Sequence, residues 1–296
     1  MFNENELKKI ISQVLDEMKA GDSKEVASQV MNTMACNIEN VSDNELVDIT
    51  ATSISDEMFI PNPINRDEYM KLKAKTPARI GIHRAGPRYK TRTFLRFRAD
   101  HAVAMDAVFK DVPESFVEEL GMFGVQTKCT NKDEYLTRPD LGRLIDDAGV
   151  EMIKSKCKMN PKVQIYISDG LSSTAIEANV KNTLPALMQG LKAENIEVGT
   201  PFFVKYGRVG AMDHISQIVN AEVTVVLIGE RPGLATGESM SCYMVYKGFP
   251  GIEESKRTVI SNIHKNGTPA AEAGAHIAGV VKRILSEKAS GVDMKL

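Results

Sequence analysis

The chain has 296 residues, 43% of them hydrophobic and 26% charged, which excludes wholesale disorder and leaves room for one large or two modest cores. No uninterrupted apolar run reaches the ~18 residues of a membrane span, and the opening Met1-Phe2-Asn3-Glu4-Asn5-Glu6 lacks the basic start and apolar stretch of a secretory signal, so the expectation is a protein neither secreted nor in a membrane. The net charge of -2 hides an asymmetry: Met1–Glu57 holds 12 acidic and 4 basic residues, and Met58–Lys110 holds 4 acidic and 12 basic, the mark of partner surfaces or of a solvated tail beside a docking face.

Leu7, Ile10, Ile11, Val14, Leu15 and Met18 fall on one stripe of an amphipathic helix that Gly21 ends, and a weaker helix follows from Ser23 through Met34. Residues 1–36 are therefore read as a helical segment. Asn, Asp, Ser and Lys dominate 37–78, with a Pro61-Asn62-Pro63 turn and no strong period, which reads as an extended linker. From Phe94 the spacing of Leu95, Ala99, Ala102, Val103, Met105 and Val108 predicts a helix flanked by basic residues, and Pro113 starts another to about Met122.

Beyond Pro139 helix-like and strand-like runs alternate. Helices are expected over Leu141–Cys157, Ser172–Asn182, Leu184–Glu194, Asp213–Asn220 and Pro269–Leu285, and strands over Val163–Ile167, Gly199–Lys205, Val223–Ile228, Ser241–Tyr246 and Thr258–Ile263. Continuous apolar runs such as Val223-Thr224-Val225-Val226-Leu227-Ile228 suit parallel strands covered on both faces. The fold class expected is α/β: an open, mainly parallel, Rossmann-like sheet with helices on both faces, preceded by a helical N-terminal segment.

In such sheets ligands bind beyond the carboxyl ends of the strands. The loops there are Ser168-Asp169-Gly170-Leu171-Ser172-Ser173, Lys205-Tyr206-Gly207-Arg208-Val209, Gly229-Glu230-Arg231-Pro232-Gly233-Leu234 and Ser261–Thr268, each combining glycine with hydroxyl, amide or charged groups. Each taken singly is an ordinary strand-to-helix connection, with Ser168, Ser172 or Thr268 as helix caps and Asp169 accepting from nearby amides. Together they form a broad polar platform. It carries no G-x-G-x-x-G and no P-loop, which argues against a standard NAD or ATP site. His83, His101, His214, His264 and His276 show no metal-ligand spacing, Cys36, Cys129, Cys157 and Cys242 form no C-x-x-C pair, and no serine sits in a G-x-S-x-G elbow, so neither a metal site nor a catalytic residue is assigned and a reducing cytoplasm suits the thiols. Asp100-His101 is the residual acid-base candidate, and His264 is noted for its place in a candidate ligand loop.

Arg79, His83, Arg84, Arg88, Lys90, Arg92, Arg96 and Arg98 interleave with Tyr89, Phe94 and Phe97. This pattern is open to nucleic acid, but a pI near 6.3 and an ordered helical context favour a subunit contact instead, and residues 79–135 are assigned that role.

Seven blocks carry a resemblance: Arg84-Ala85-Gly86 with Leu95–His101, then Tyr135–Arg143, Ile167–Ser172, Gly199–Val204, Gly229–Leu234 and Ile260–His264. In the same order they resemble the small (light) subunit of ethanolamine ammonia-lyase, from about Arg79 to the C-terminus. The resemblance implies an adenosylcobalamin-dependent lyase that converts ethanolamine to acetaldehyde and ammonia by radical chemistry, with the catalytic residues on a large subunit and the corrin covered at the interface by the small one. It makes 136–296 a cobalamin-binding α/β domain and places the cofactor contacts on Val209, Glu230 and Val259. Some relatives carry cysteine at the last position, so a thiol-specific role is not carried over. The cobalamin is expected to keep its own base as lower ligand, with no residue of this chain on cobalt, since no D-x-H-x-x-G is present. The large subunit is the implied partner. Residues 1–21 are read as docking either on their own subunit or on the shell of the bacterial microcompartment that houses ethanolamine breakdown, and the implied location is the bacterial cytoplasm within that compartment. Two alternatives stand beside this reading: a stand-alone small-molecule enzyme on a nucleotide-binding fold, and a scaffold subunit without cofactor contact.

Overall fold

Residues Val223–Gly229 are buried at every position, as a strand must be when helices cover both of its faces. The computed structural model describes Ile49, residues 54–76 and residues 78–295. The helices expected over Leu7–Met18 and Ser23–Met34 lie outside these residues. In chain order the elements are α1 (Arg66–Lys73), the short hairpin β1 (Arg84–Ala85) and β2 (Arg88–Tyr89), α2 (Thr91–Phe109), α3 (Glu114–Glu119), β3 (Gly124–Gln126), α4 (Lys132–Thr137), α5 (Asp147–Lys156), β4 (Val163–Ser168), α6 (Ser173–Ala193), β5 (Phe202–Lys205), α7 (Ala211–Val219), β6 (Val223–Gly229), β7 (Met240–Tyr246), β8 (Thr258–Ile263) and α8 (Ala270–Glu287).

Six strands form one open sheet in the order β3-β5-β4-β6-β7-β8. The first three pairings are parallel and the last two antiparallel. The sheet is thus mixed and mostly parallel, and β7 alone runs against the rest. Its connection from β6 is a ten-residue loop with no helix, too short for the crossover a parallel neighbour needs.

Alternation along the strands sends two sets of side chains to opposite faces. On one face Val163, Ile165, Ile167, Val225 and Leu227 pack with α6 and α8. On the other, Tyr166, Phe202, Val204, Val226 and Ile228 pack with α5 and α7. That second face changes character toward the β8 edge: Tyr243 is only partly buried, and its register partner Val259 is 46% exposed. An uncovered strip of sheet results.

Several local expectations are corrected. One continuous helix, α6, replaces the pair expected over 172–194; Pro185 sits inside it, and the buried side chains Ile176, Val180, Leu184, Leu187 and Leu191 pin both halves to the same core. The stretch 141–157 is a single 3-10 turn, Leu141–Arg143, followed by α5, which begins where the Asp146 carboxylate accepts the Gly149 N–H at 2.7 Å. The linker read over 37–78 contains α1, capped by Asn65. The sheet takes its outer strand from Gly124–Gln126, ahead of residue 136, and the described residues from 54 onward pack as one unit. No helix among the described residues is long and apolar enough to cross a membrane.

Candidate functional site

The carboxyl ends of β4, β5, β6 and β8 open on the same edge of the sheet, because β8 pairs antiparallel with a strand that is itself antiparallel to β6. The four loops read as a platform are therefore neighbours. The loops after β4 and β6 meet backbone to backbone: Leu171 N–H donates to the Gly229 carbonyl at 3.1 Å, and a Cβ on Gly229 would run into the Ser172 and Asp169 carbonyl oxygens. Gly170 turns with φ +56°, which glycine adopts without strain.

Asp169 is buried beneath this contact. Its carboxylate accepts the N–H groups of Gly170 at 2.9 Å, Tyr206 at 3.0 Å and Gly207 at 3.3 Å, with Lys132 Nζ at 3.9 Å. Burial pushes its pKa up to about 6, although the Lys132 charge and the amide donors pull the other way. It is a structural clamp on the turn after β5, where Tyr206 holds a left-handed φ of 59°. The same turn is gripped from outside: Thr127 Oγ1 donates to the Tyr206 carbonyl at 2.9 Å, Tyr135 OH to the Gly207 carbonyl at 3.2 Å, and Arg208 donates to the Tyr135 carbonyl at 2.6 Å while lying 4.3 Å from its ring centre.

This bracing delivers Val209 to a cavity of about 180 Å³. Glu230 lines the same cavity, together with Leu171, Arg208 and Tyr243. Glu230 Oε2 accepts from Ser239 Oγ at 2.6 Å, and Oε1 accepts from Ser241 Oγ and from the Asn262 N–H at 3.1 Å. Burial alone raises its pKa, but these three donors and the nearby His264 charge bring it below the usual carboxylate range. Val259 is not part of the cavity lining; it stands one strand away, opposite Tyr243 on the uncovered strip.

Of the remaining sequence candidates, Ser172 caps α6 by accepting from the Ala175 N–H at 3.2 Å, whereas Thr268 does not cap α8, whose first turn follows Pro269. Asp100 is engaged by Arg79 at 2.8 Å and Arg96 at 3.1 Å, so it is not partnered with exposed His101. His214 Nδ1 accepts the Ile145 N–H at 3.0 Å, and burial lowers its pKa, which makes it a neutral structural residue. Cys129, Cys157 and Cys242 are buried free thiols. Sequence reasoning missed Tyr135, Tyr243, Ser239 and Ser241; the alternation of two serines into β7 was the available signal for the last pair.

The family model for the ethanolamine ammonia-lyase light chain matches residues 66–295. The chain belongs to the ethanolamine ammonia-lyase light-chain family. It is 54% identical to the ethanolamine ammonia-lyase small subunit of Fusobacterium nucleatum over 296 residues, covering all of both chains, and 54% identical to that of Clostridium tetani with the same coverage. The small subunit of Listeria monocytogenes is 50% identical over 295 residues, 99% of this chain and all of the relative. Light-chain similarity thus extends beyond the start near Arg79 that the sequence blocks suggested, and the full-length relatives span the N-terminal segment as well.

Proposed function

We propose that this chain is the small subunit of an ethanolamine-degrading lyase and that it covers one side of an adenosylcobalamin held against a large subunit. The observation that carries this reading is the meeting of Val209 and Glu230 at one cavity, with Val259 on the bare sheet strip beside Tyr243. The residues suit the group. A corrin is a broad, flat body with apolar faces and amide arms around its rim, and the cavity is too small to enclose it but large enough for an arm. Glu230, anchored by Ser239 and Ser241, offers an ionised acceptor for an amide N–H, and Val209, Tyr243 and Val259 offer apolar contact. When bound, the cofactor supplies the radical chemistry; the residues here orient it and exclude water.

The large-subunit surface is assigned to the region 79–135, and α2 is its core. Phe94, Leu95, Val103, Met105 and Phe109 are exposed along this one helix, an apolar surface unusual for a free chain. Exposed Arg98 adds positive charge beside it, and Arg92 is paired with Glu57 at 2.5 Å. Location in the ethanolamine-utilisation microcompartment rests on the apolar stripe of residues 1–21, and a fluorescent protein fused to Met1–Gly21 tests it: diffuse fluorescence in cells that make shells rules that segment out as a sufficient signal.

The deciding experiment is co-expression with the large subunit and purification with and without adenosylcobalamin. Tight cobalamin binding and ethanolamine deamination by the complex, with neither shown by the small chain alone, is the expected result. Deamination by the small chain alone overturns it.

A further inference from the structure

Two of the three proposed contact residues sit on separate elements that converge only in the folded chain. Val209 precedes Gly210 and α7, while Val259 is the second residue of β8. The sheet ladder connects them only at long range, from the turn after β5 through four strand pairings to the edge strand β8, the last of them across an irregular register between Met240 and Cys242. The spacing nonetheless sets the width of the surface that a flat ligand would span.

One buried link joins the two elements. Asp213, in the first turn of α7, accepts from Arg257 at 2.6 Å, and Arg257 immediately precedes β8. The side chains are 9% and 2% exposed. Among the described residues, no other hydrogen bond or ion pair joins α7 to residues 257–263. The second arm of the Arg257 guanidinium meets Glu254, which reaches Arg143 at 3.7 Å, and the Arg143 side chain packs against Gly210, the residue next to Val209. A chain of ion pairs thus runs from the start of β8 to the residue next to Val209.

A buried ion pair contributes little net stability, because desolvating both charges offsets most of their attraction. Asp213 sits in the first turn of α7, where a helix N-terminus favours a carboxylate, and the Arg257 charge offsets part of the burial of that carboxylate. What the pair supplies is geometry: a planar, pre-organised guanidinium in a water-excluded site holds one distance and direction. We infer that Asp213 and Arg257 are positioning residues that set the separation of Val209 and Val259, and with it the fit of the cobalamin-facing surface. This rests on the cofactor reading above and adds to it residues that do not touch the ligand.

The test replaces both members with apolar residues, Asp213→Leu with Arg257→Met, in the complex co-purified with the large subunit. The probe is cyanocobalamin, read by its dissociation constant and by the induced circular dichroism of the bound corrin. The expected result is a folded chain that melts within about 5 °C of the wild type, assembles normally, binds the probe roughly tenfold or more weakly and shows an altered dichroic band. Arg257→Lys, which keeps a charge opposite Asp213, restores part of the affinity. If the apolar pair fails to accumulate, Asp213→Asn, which keeps an acceptor for Arg257 and removes the charge, carries the same comparison.

Wild-type affinity and an unchanged dichroic band in these variants, alongside weakened binding by Glu230→Ala, overturn the positioning role. Unchanged binding by Glu230→Ala as well instead overturns the cofactor reading, and the positioning role falls with it.

Discussion

The carboxylate of Asp169 accepts the N–H of Tyr206 at 3.0 Å, tying the end of β4 to the first residue beyond β5. Tyr206 adopts a left-handed backbone there, and the clamp holds the turn from which Arg208 and Val209 reach the cavity. Because burial raises the folded-state pKa from 3.8 to about 6, the folded protein retains the proton between those values. The carboxyl therefore contributes stability below about pH 4 that is lost as the pH rises through 6, to an extent of roughly 2–3 kcal/mol. Urea unfolding of the wild type and of Asp169→Asn from pH 4 to pH 7 measures it: the wild-type advantage shrinks over that window, and a constant difference contradicts the assignment.

Glu230 joins three donors at once, so its removal has two consequences. Glu230→Ala leaves Ser239, Ser241 and the Asn262 N–H without their shared acceptor and loosens the loop after β8. In the proposed cobalamin site it also removes a charge-assisted acceptor worth ~1.5–3 kcal/mol, which predicts a ten- to hundredfold loss of cobalamin affinity in the complex. Equilibrium binding reads the second effect, and hydrogen exchange across 261–268 reads the first.

Gly229 has no room for a side chain between the Ser172 and Asp169 carbonyls. Gly229→Ala forces the loops after β4 and β6 apart and destabilises the chain by about 3 kcal/mol, the upper end of overpacking. A thermal melt checks it, and a wild-type melting temperature would mean that the two loops separate freely.

Val259 is exposed, and its packing contribution is correspondingly small. Val259→Cys shifts stability by less than about 0.5 kcal/mol and preserves cobalamin affinity in the complex, because the proposed contact is van der Waals. Loss of affinity in that variant would show that the branched side chain itself shapes the surface.

On α2, Phe94→Asp and Met105→Asp test the proposed large-subunit surface. Both side chains are exposed, so unfolding of the isolated chain changes by under about 0.5 kcal/mol. Association with the large subunit weakens by about 2 kcal/mol or more, and unchanged association places the contact elsewhere. Sedimentation of the mixed subunits separates the two effects.

Much of the fold was legible because it is written in local pattern. The span of β8 follows from Thr258–Ile263, β6 from its apolar run, and the start of α6 from the Ser172 hydroxyl, each a property of a few consecutive residues. The short β3 and α4 carried too little periodicity to announce themselves, and Pro185 suggested a break that burial on both sides of it overrode. At the site, the sequence alone marked Glu230 by its glycine-flanked loop and, through family resemblance, Val209 and Val259. Only the tertiary structure decided that Val209 and Glu230 share a cavity, that Tyr135 and Tyr243 line it, and that Asp213 meets Arg257 across 44 positions of chain. The physical reason is that helix and strand signals arise from neighbours along the chain, whereas these contacts depend on strand order and on the reversal of β7, which no spacing of residues encodes.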